Sequence, residues 1–518
     1  MKTLLITGTL AENAVKQYAK QSQTPTEVLT LNVQVAAFLT PEIISQALKK
    51  HKLHDIDIIL TPGQALGDTK IITDATKIPA FKGPRYAADL PVVLDSLGEV
   101  KLSSVVPADD LLRAKLEAKA LEELEKVERN REELLKKQGN LMIGDLAVGK
   151  EFPMRVLAEI VDAPLLDTAE IARLAKHYVA SGAHIIDIGM VAGQTRPQDA
   201  KRAVTAVKAA VDVPVSIDTL NPLEIEAAVA AGADLVLSAD AGNLEEIAPF
   251  AKDVAVVVIP TNQRKGFFPK KSATRVRLLE RLIKQAKQLG FKKIVGDLIL
   301  EPTNIMDSYV AFQEFSRRNP EVPLLIGIAN VVELFDADSV GLNALLARLA
   351  SEVSADILLT TEETHKARGC VREVSVAAKM MFLAKRRNSV PRDLGLDLLV
   401  LKNKTEKEVP MNLDKTKIIT AKRQKNKFVT VDSCGVFRVM VDRENKKLVA
   451  LHYKSAEAPA PNCAVRGVDA ETVMAEVLRL GLVSRLEHAA YLGGELAKAE
   501  VALRVGRDYV QDAGLFEK

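Results

Sequence analysis

Residues 184–218 read HIIDIGMVAGQTRPQDAKRAVTAVKAAVDVPVSID, and their grammar decides the fold. A short apolar run ends on Asp187, a polar loop and a helical pattern follow, and a second apolar run ends on Asp218. Strand, helix and strand at this spacing form a βαβ unit, whose two strands run parallel. The pattern recurs in KKIVGDLIL, residues 292–300, where the run reaches Asp297. If such strands close into a barrel, direction alone brings all three carboxylates to one mouth, where (β/α)8 enzymes carry their chemistry. An acidic mouth suits a ligand rich in N–H donors, such as a guanidine-like heterocycle. One aspartate after a strand is as often a helix N-cap or turn former. Three at separate strand ends favour a site.

Working outward, the block from Leu141 to Arg387 contains eight apolar runs: RVLAEIV, HIIDIG, VPVSID, DLVLSA, VAVVVIP, KKIVGDL, VPLLIGI and ADILLTT. Helical patterns lie between them, and Gly182, Gly232 and Gly290 stand where C-caps belong. Eight such units make a complete (β/α)8 barrel, an α/β fold assigned to residues 141–387; an open doubly wound sheet is the alternative. Residues 1–106 alternate strand and helix through KTLLITG, TEVLTL and DIDIILTPG and read as a small N-terminal α/β domain. Its loops TGTLAEN and TPGQALGD are neither GxGxxG nor a P-loop, so it reads as a scaffold or lid. Residues 107–140 are rich in strong helix formers and read as a connecting helix, with a stripe of Leu112, Leu116, Leu121, Leu124 and Leu135 that packs on a neighbour or a second subunit. Residues 388–518 open with a Lys/Asn-rich linker ending near Lys427. Two antiparallel strands (KFVTVD and FRVMVD turning into KKLVALHYK) and two helices follow, making a small C-terminal α+β domain.

A chain of 518 residues is too long for one ordinary core. Its hydrophobic content of 47% and charge of 27% are those of a globular protein, and the net charge of +3 gives no case for a nucleic-acid partner. No apolar run is long enough to span a bilayer, and MKTLLITGTLAEN reads as a strand rather than a signal peptide. Cys370, Cys434 and Cys463 lie far apart, without CxxC or paired histidines, so no residue is assigned to a metal and a cytoplasmic location is expected.

Taken in order, GAHIIDIG, GQTRP, VPVSIDT, IVGDLILEP and LLIGIAN resemble the pterin-binding barrel family, which includes dihydropteroate synthase and the methyltetrahydrofolate-dependent methyltransferases. The extra domain on each side resembles the archaeal dihydropteroate synthase-related proteins. The resemblance implies a reduced pterin held by Asp218 and Asp297, with Asp187 at the same mouth. A carboxylate accepts two parallel bonds from the 2-amino group and ring N–H of a pterin, and at neutral pH it needs no pKa shift to do so. Ser238 stands where the family carries a pterin-reading asparagine, with Asp240 or Asn243 as substitutes. Asn330 stands where synthases have Ser-Arg-Lys, and looks like the methyltransferase branch. His365, Lys366 and Arg368 stand near the synthase Arg-x-His pair that binds the leaving diphosphate, and Arg196 matches a synthase position for the anion or the aromatic amine. The same three also fit a basic helix start facing solvent. The loop after the first strand supplies Asp162, and His488 in the tail is expected to serve helix packing.

The leading function implied is a transferase that joins a pterin methyl diphosphate to an arylamine, in folate or methanopterin-type biosynthesis. Lys366 and Arg368 would then be catalytic, and Mg²⁺ would sit on the diphosphate, held mostly by ligand oxygens and a loop carboxylate. The alternative is a methyltetrahydrofolate- or methyltetrahydromethanopterin-dependent methyltransferase with Asn330 central. Its corrinoid would come on a partner protein, because no Asp-x-His-x-x-Gly motif is present. A third reading is a non-catalytic pterin carrier. A homodimer is compatible with each.

Overall fold

The computed structural model describes residues 1–404, 418–421 and 431–516. Most of the expected strand KFVTVD and the end of the Lys/Asn-rich linker lie outside the described residues.

Four strands come first: β1 (Thr3–Gly8), β2 (Thr26–Leu31), β3 (Ile58–Thr61) and β4 (Ala80–Lys82). All are parallel, in the order β2-β1-β3-β4. Side chains alternate across a strand, so Leu5, Ile58 and Leu60 bury against one helical layer through Val15 and Val93. Leu4, Ile6 and Ile59 bury against the other through Ile44 and Ile72.

The connecting helix is not continuous. It forms Ala108–Leu111, Arg113–Arg129 and Arg131–Leu135, with breaks at Leu112 and Asn130. The buried stripe of its long part is Leu116, Ala120, Leu124 and Val127, at helical spacing. Leu121 falls off that stripe and is 40% exposed, which corrects the expectation. Ala120, Leu124 and Val127 pack into the barrel's outer core, and Glu128 accepts both arms of the Arg155 guanidinium.

A hairpin, β5 (Leu141–Ile143) with β6 (Leu146–Val148), precedes the barrel. Ile143 and Val148 are fully buried against the inward-facing Leu157, Ile185, Leu235, Val257 and Val295. Gly144 at its turn lies against Pro214 and Asp234, just before two barrel strands. The hairpin therefore plugs the amino end and leaves the carboxyl end as the mouth.

Eight parallel strands form the barrel: β7 (Arg155–Ile160), β8 (Ile185–Gly189), β9 (Val215–Asp218), β10 (Leu235–Ala239), β11 (Ala255–Val258), β12 (Ile294–Gly296), β13 (Leu325–Gly327) and β14 (Ile357–Thr361). Their order is β12-β11-β10-β9-β8-β7-β14-β13. A bridge between Gly296 and Leu324, with Gly296 N–H donating to the Pro323 carbonyl at 2.9 Å, closes the ring. The strands are Val/Ile/Leu runs because both faces are covered, by helices outside and side chains within. The expected (β/α)8 barrel is present.

The last strands are β15 (Val436–Asp442), β16 (Lys447–Tyr453) and β17 (Cys463–Gly467), an antiparallel sheet. Phe437, Val439, Leu448, Ala450 and Val465 pack on Val473, Leu492 and Leu496 of the helices Ala470–Arg479 and Leu486–Val505. His488 Nδ1 lies 3.0 Å from the buried Asp432 carboxylate, which also accepts Ser484 and Arg485 backbone N–H groups at the start of the last helix. The chain divides into two compact units, Met1–Leu398 and Leu399–Lys518. No helix among the described residues is long and apolar enough to cross a membrane.

Candidate active site

Period-two alternation builds the mouth. Inside the barrel, Leu157 is followed by Glu159 on β7, Ile185 by Asp187 on β8, and Ser216 by Asp218 on β9. The register sets Asp187 beside both Glu159 and Ser216, and Gly189 beside Asp218. Carboxylate oxygens of Glu159, Asp187 and Asp218 consequently lie within 4.8 Å of one another. Gly189 makes this possible, because a Cβ there would collide with Glu159 Oε1.

The members differ. Asp187 is fully buried; Ser216 Oγ donates to its Oδ1, while Oδ2 is buried without a partner. Asp187 thus lies under the other two rather than on the open surface. Asp218 and Glu159 are half-buried, as is Asp297 just beyond the end of β12. The Ile299 N–H donates to Asp297 Oδ1 at 2.7 Å. Ile299 holds φ +64, a left-handed conformation costly for a β-branched residue.

Burial, followed by the charges of Asp218, Asp162 and Glu363, pushes the Glu159 carboxyl up to about 8. Burial pushes Asp218 up to about 7. It does the same for Asp297, where the Ile299 N–H and the Arg275 charge oppose it. Asp187 is held well above the carboxylate range by burial, then by Asp218 and Glu159. This mouth concentrates acids in a poorly solvated space without enough cation to ionise them. The donor set, all carboxylate oxygen, also fits a hard divalent cation. Glu159, Asp187 and Asp218 come from separate strands, so no local spacing in the sequence marks them as a metal set.

Other expected residues are placed as follows. Ser238 is buried at the end of β10. Asp240 is no substitute for the missing asparagine: its Oδ1 accepts Gly242 N–H at 2.6 Å, and its Oδ2 accepts Thr261 Oγ at 2.9 Å and Gln263 N–H at 2.7 Å. Asn243 likewise bonds the Leu220 and Ser238 carbonyls and the Asp240 N–H. Both residues frame the loop. Asn330 is exposed after β13, with its amide 3.3 Å from the Leu300 carbonyl in the loop after β12. Lys366 donates to the Phe335 carbonyl at 2.7 Å and to Asp336 at 3.1 Å, so its charge is already countered. His365 and Arg368 are exposed beside it. Arg196 donates from Nε to Gln194 and lies 3.6 Å from Asp199. The proposed anion set is thus spread over surface loops, and two of its cations are engaged with acids.

Three residues escaped the sequence reading. Glu159 sits two positions after an inward leucine, and alternation from Leu157 would have found it. Glu224, buried on the helix Pro222–Ala230, accepts from Thr219 Oγ and from Arg196 N–H at 2.7 Å, tying the loop after β9 to the loop after β8. Arg275 is fully buried on the helix Ser272–Gln288, and nothing local in the sequence distinguishes it from its exposed neighbours.

A closed eight-stranded barrel thus carries carboxylates at the ends of β7, β8 and β9 and just beyond β12. Residues 161–351 match the family model described as "Pterin binding enzyme". Residues 1–85 match a family of unknown function, DUF6513, and residues 431–512 match PterinBD-DUF4346. The chain belongs to the same family as the uncharacterized protein MJ0107 of Methanocaldococcus jannaschii. The two are 41% identical over 531 residues, covering 100% of this chain and 99% of the relative. Among solved structures, Yersinia pestis dihydropteroate synthase with a sulfonamide drug is 19% identical, with a TM-score of 0.39, over 48% of this chain and 100% of that one. The dihydropteroate synthase of Thermus thermophilus in complex with 6HMPPP is 21% identical, with a TM-score of 0.37, over 46% and 97%.

Proposed function

We propose that the chain is a pterin-dependent transferase whose mouth holds a reduced pterin through Asp218 and Asp297. The observation that carries this is the pairing of two half-buried carboxylates at the ends of β9 and β12, one of them fixed by a backbone N–H. Each can present acceptors to the 2-amino and ring N–H donors of a pterin.

Of the two transfers compatible with this site, the charge distribution favours methyl transfer over diphosphate displacement. A leaving diphosphate needs concentrated positive charge. Here Lys366 is countered by Asp336, and Asp162 and Glu363 add negative charge near Glu159. Methyl transfer makes the opposite demand. The methyl carbon bonds to a nucleophilic acceptor, the C–N electron pair stays on the pterin nitrogen, and a proton must neutralise it. Glu159, whose carboxyl burial pushes up to about 8, would supply that proton while Asp218 and Asp297 accept from the pterin, and Asn330 would contact the ring beside it. The acceptor, a corrinoid on a partner protein or another nucleophile, is left to the assay.

Condensation with an arylamine is the competing reading, supported by His365 and Arg368, which are free of carboxylates among the described residues. In that case Mg²⁺ would neutralise diphosphate, with Glu159, Asp187 and Asp218 as the residues able to hold it. The test offers purified protein a methylated reduced pterin with acceptors and, separately, a pterin methyl diphosphate with an arylamine. Demethylation abolished by Asn330→Ala and indifferent to Lys366→Ala with Arg368→Ala supports methyl transfer. The inverse ranking, with diphosphate release, supports condensation. Tight pterin binding without either turnover supports the carrier.

A further inference from the structure

Asp297 owes its orientation to a peptide that no side chain of the mouth stabilises. Ile299 must adopt φ +64 for its N–H to turn back onto Asp297 Oδ1. A β-branched residue does not hold that conformation unless its surroundings impose it. The group that holds the Ile299 carbonyl is Arg275. Its guanidinium, fully buried, donates from Nη1 to the Ile299 carbonyl at 2.9 Å and to Ser308 Oγ at 3.0 Å. Nη2 reaches Glu301 Oε2 at 2.5 Å, Nε reaches the Pro269 carbonyl at 3.0 Å, and the fork lies 5.3 Å from the Phe268 ring. Ser308 in turn accepts the Glu301 N–H at 3.1 Å. One planar cation thereby fixes the loop after β12 from 299 to 301 and joins it to the loop after β11.

We propose that Arg275 is a positioning residue, which sets Asp297 for its ligand by pinning the left-handed peptide at Ile299. This rests on the reading that Asp297 binds the pterin. A lysine cannot replace it, because its point charge cannot span Pro269, Ile299 and Glu301 together. Glycine at 299 should make the post partly unnecessary, since glycine adopts positive φ without support.

The experiment compares Arg275→Lys, Arg275→Met, Ile299→Gly and the double variant Arg275→Lys/Ile299→Gly in the full chain. Two readouts are used: affinity for a reduced pterin, and amide hydrogen exchange of residues 297–301 without ligand. Expected results are at least tenfold weaker binding and faster exchange in both Arg275 variants. Ile299→Gly alone sets the reference, and against it the double variant should recover at least half of the affinity lost in Arg275→Lys on a logarithmic scale. The acid limb of binding should also move to higher pH in Arg275→Met, because Asp297 loses a nearby cation. Where Arg275→Met fails to fold, Arg275→Lys carries the test. Unchanged exchange at 297–301, or no recovery in a folded double variant, would overturn the proposal. If the parent binds no pterin, the ligand reading fails by itself, and the exchange data still decide whether Arg275 sets this loop.

Discussion

Glu159, Asp218 and Asp297 hold protons to about pH 7 or 8 in the free molecule, whereas the unfolded chain releases them near pH ~4. Between those limits the folded state binds more protons, so its stability falls as pH rises. Thermal unfolding should therefore occur at a lower temperature at pH 8 than at pH 6. Glu159→Gln should flatten that slope and raise Tm at pH 8, on the order of 2–4 °C for each kcal/mol of repulsion removed. Ligand binding runs the other way. Pterin donors favour ionised carboxylates, so binding releases protons and tightens from pH 5.5 to 8. Calorimetry in buffers of different ionisation enthalpy reads this directly, and a buffer-independent enthalpy would contradict it. Asp218→Asn and Asp297→Asn each place a donor against a donor, and should cost about 2 kcal/mol of binding. The aspartates were legible because each ends an apolar run. Their charge state was not, because it depends on neighbours from other strands: Asp187 meets Glu159 and Ser216 only once β7, β8 and β9 are in register.

At the level of elements, the barrel strands could be read because parallel strands buried on both faces leave continuous apolar runs. The hairpin β5–β6 could not, since three-residue strands are shorter than any periodicity can reveal. It nevertheless contributes to the core. Ile143 is fully buried in the inner cluster, so Ile143→Ala should cost about 2–5 kcal/mol through lost transfer energy and an unfilled cavity. Chemical denaturation measures that loss, and an unchanged midpoint would mean the hairpin is not part of the folded core. The connecting helix shows a different limit. Leucines alone suggested Leu121 for its buried stripe, but the geometry selects Ala120 and Val127, small residues that a leucine count overlooks. Asp240 shows a third. Its place after β10 suggested ligand contact, yet three donors from its own loop and the next claim it.

Over the whole molecule, the described chain separates after Leu398. A protein ending there should fold and retain pterin affinity, since every residue of the mouth precedes that point. Limited proteolysis is expected to cut first near residues 403–407, in the polar linker of the sequence, and loss of affinity in the 1–398 product would assign the last unit a part in the site. The closure of the ring carries its own consequence. Neighbouring barrel strands share at least three paired positions, whereas β12 and β13 meet through the single bridge at Gly296, supplemented at the mouth by the Asn330 amide on Leu300. A cylinder with one thin joint fluctuates there first. The Gly296 amide should lose its protection against solvent deuterium before its counterparts on β8 or β9. A ring compound lodged between Asp297 and Asn330 would act as a rivet across that joint, so slower deuteration at Gly296 becomes an occupancy gauge that works even for a ligand that never reacts.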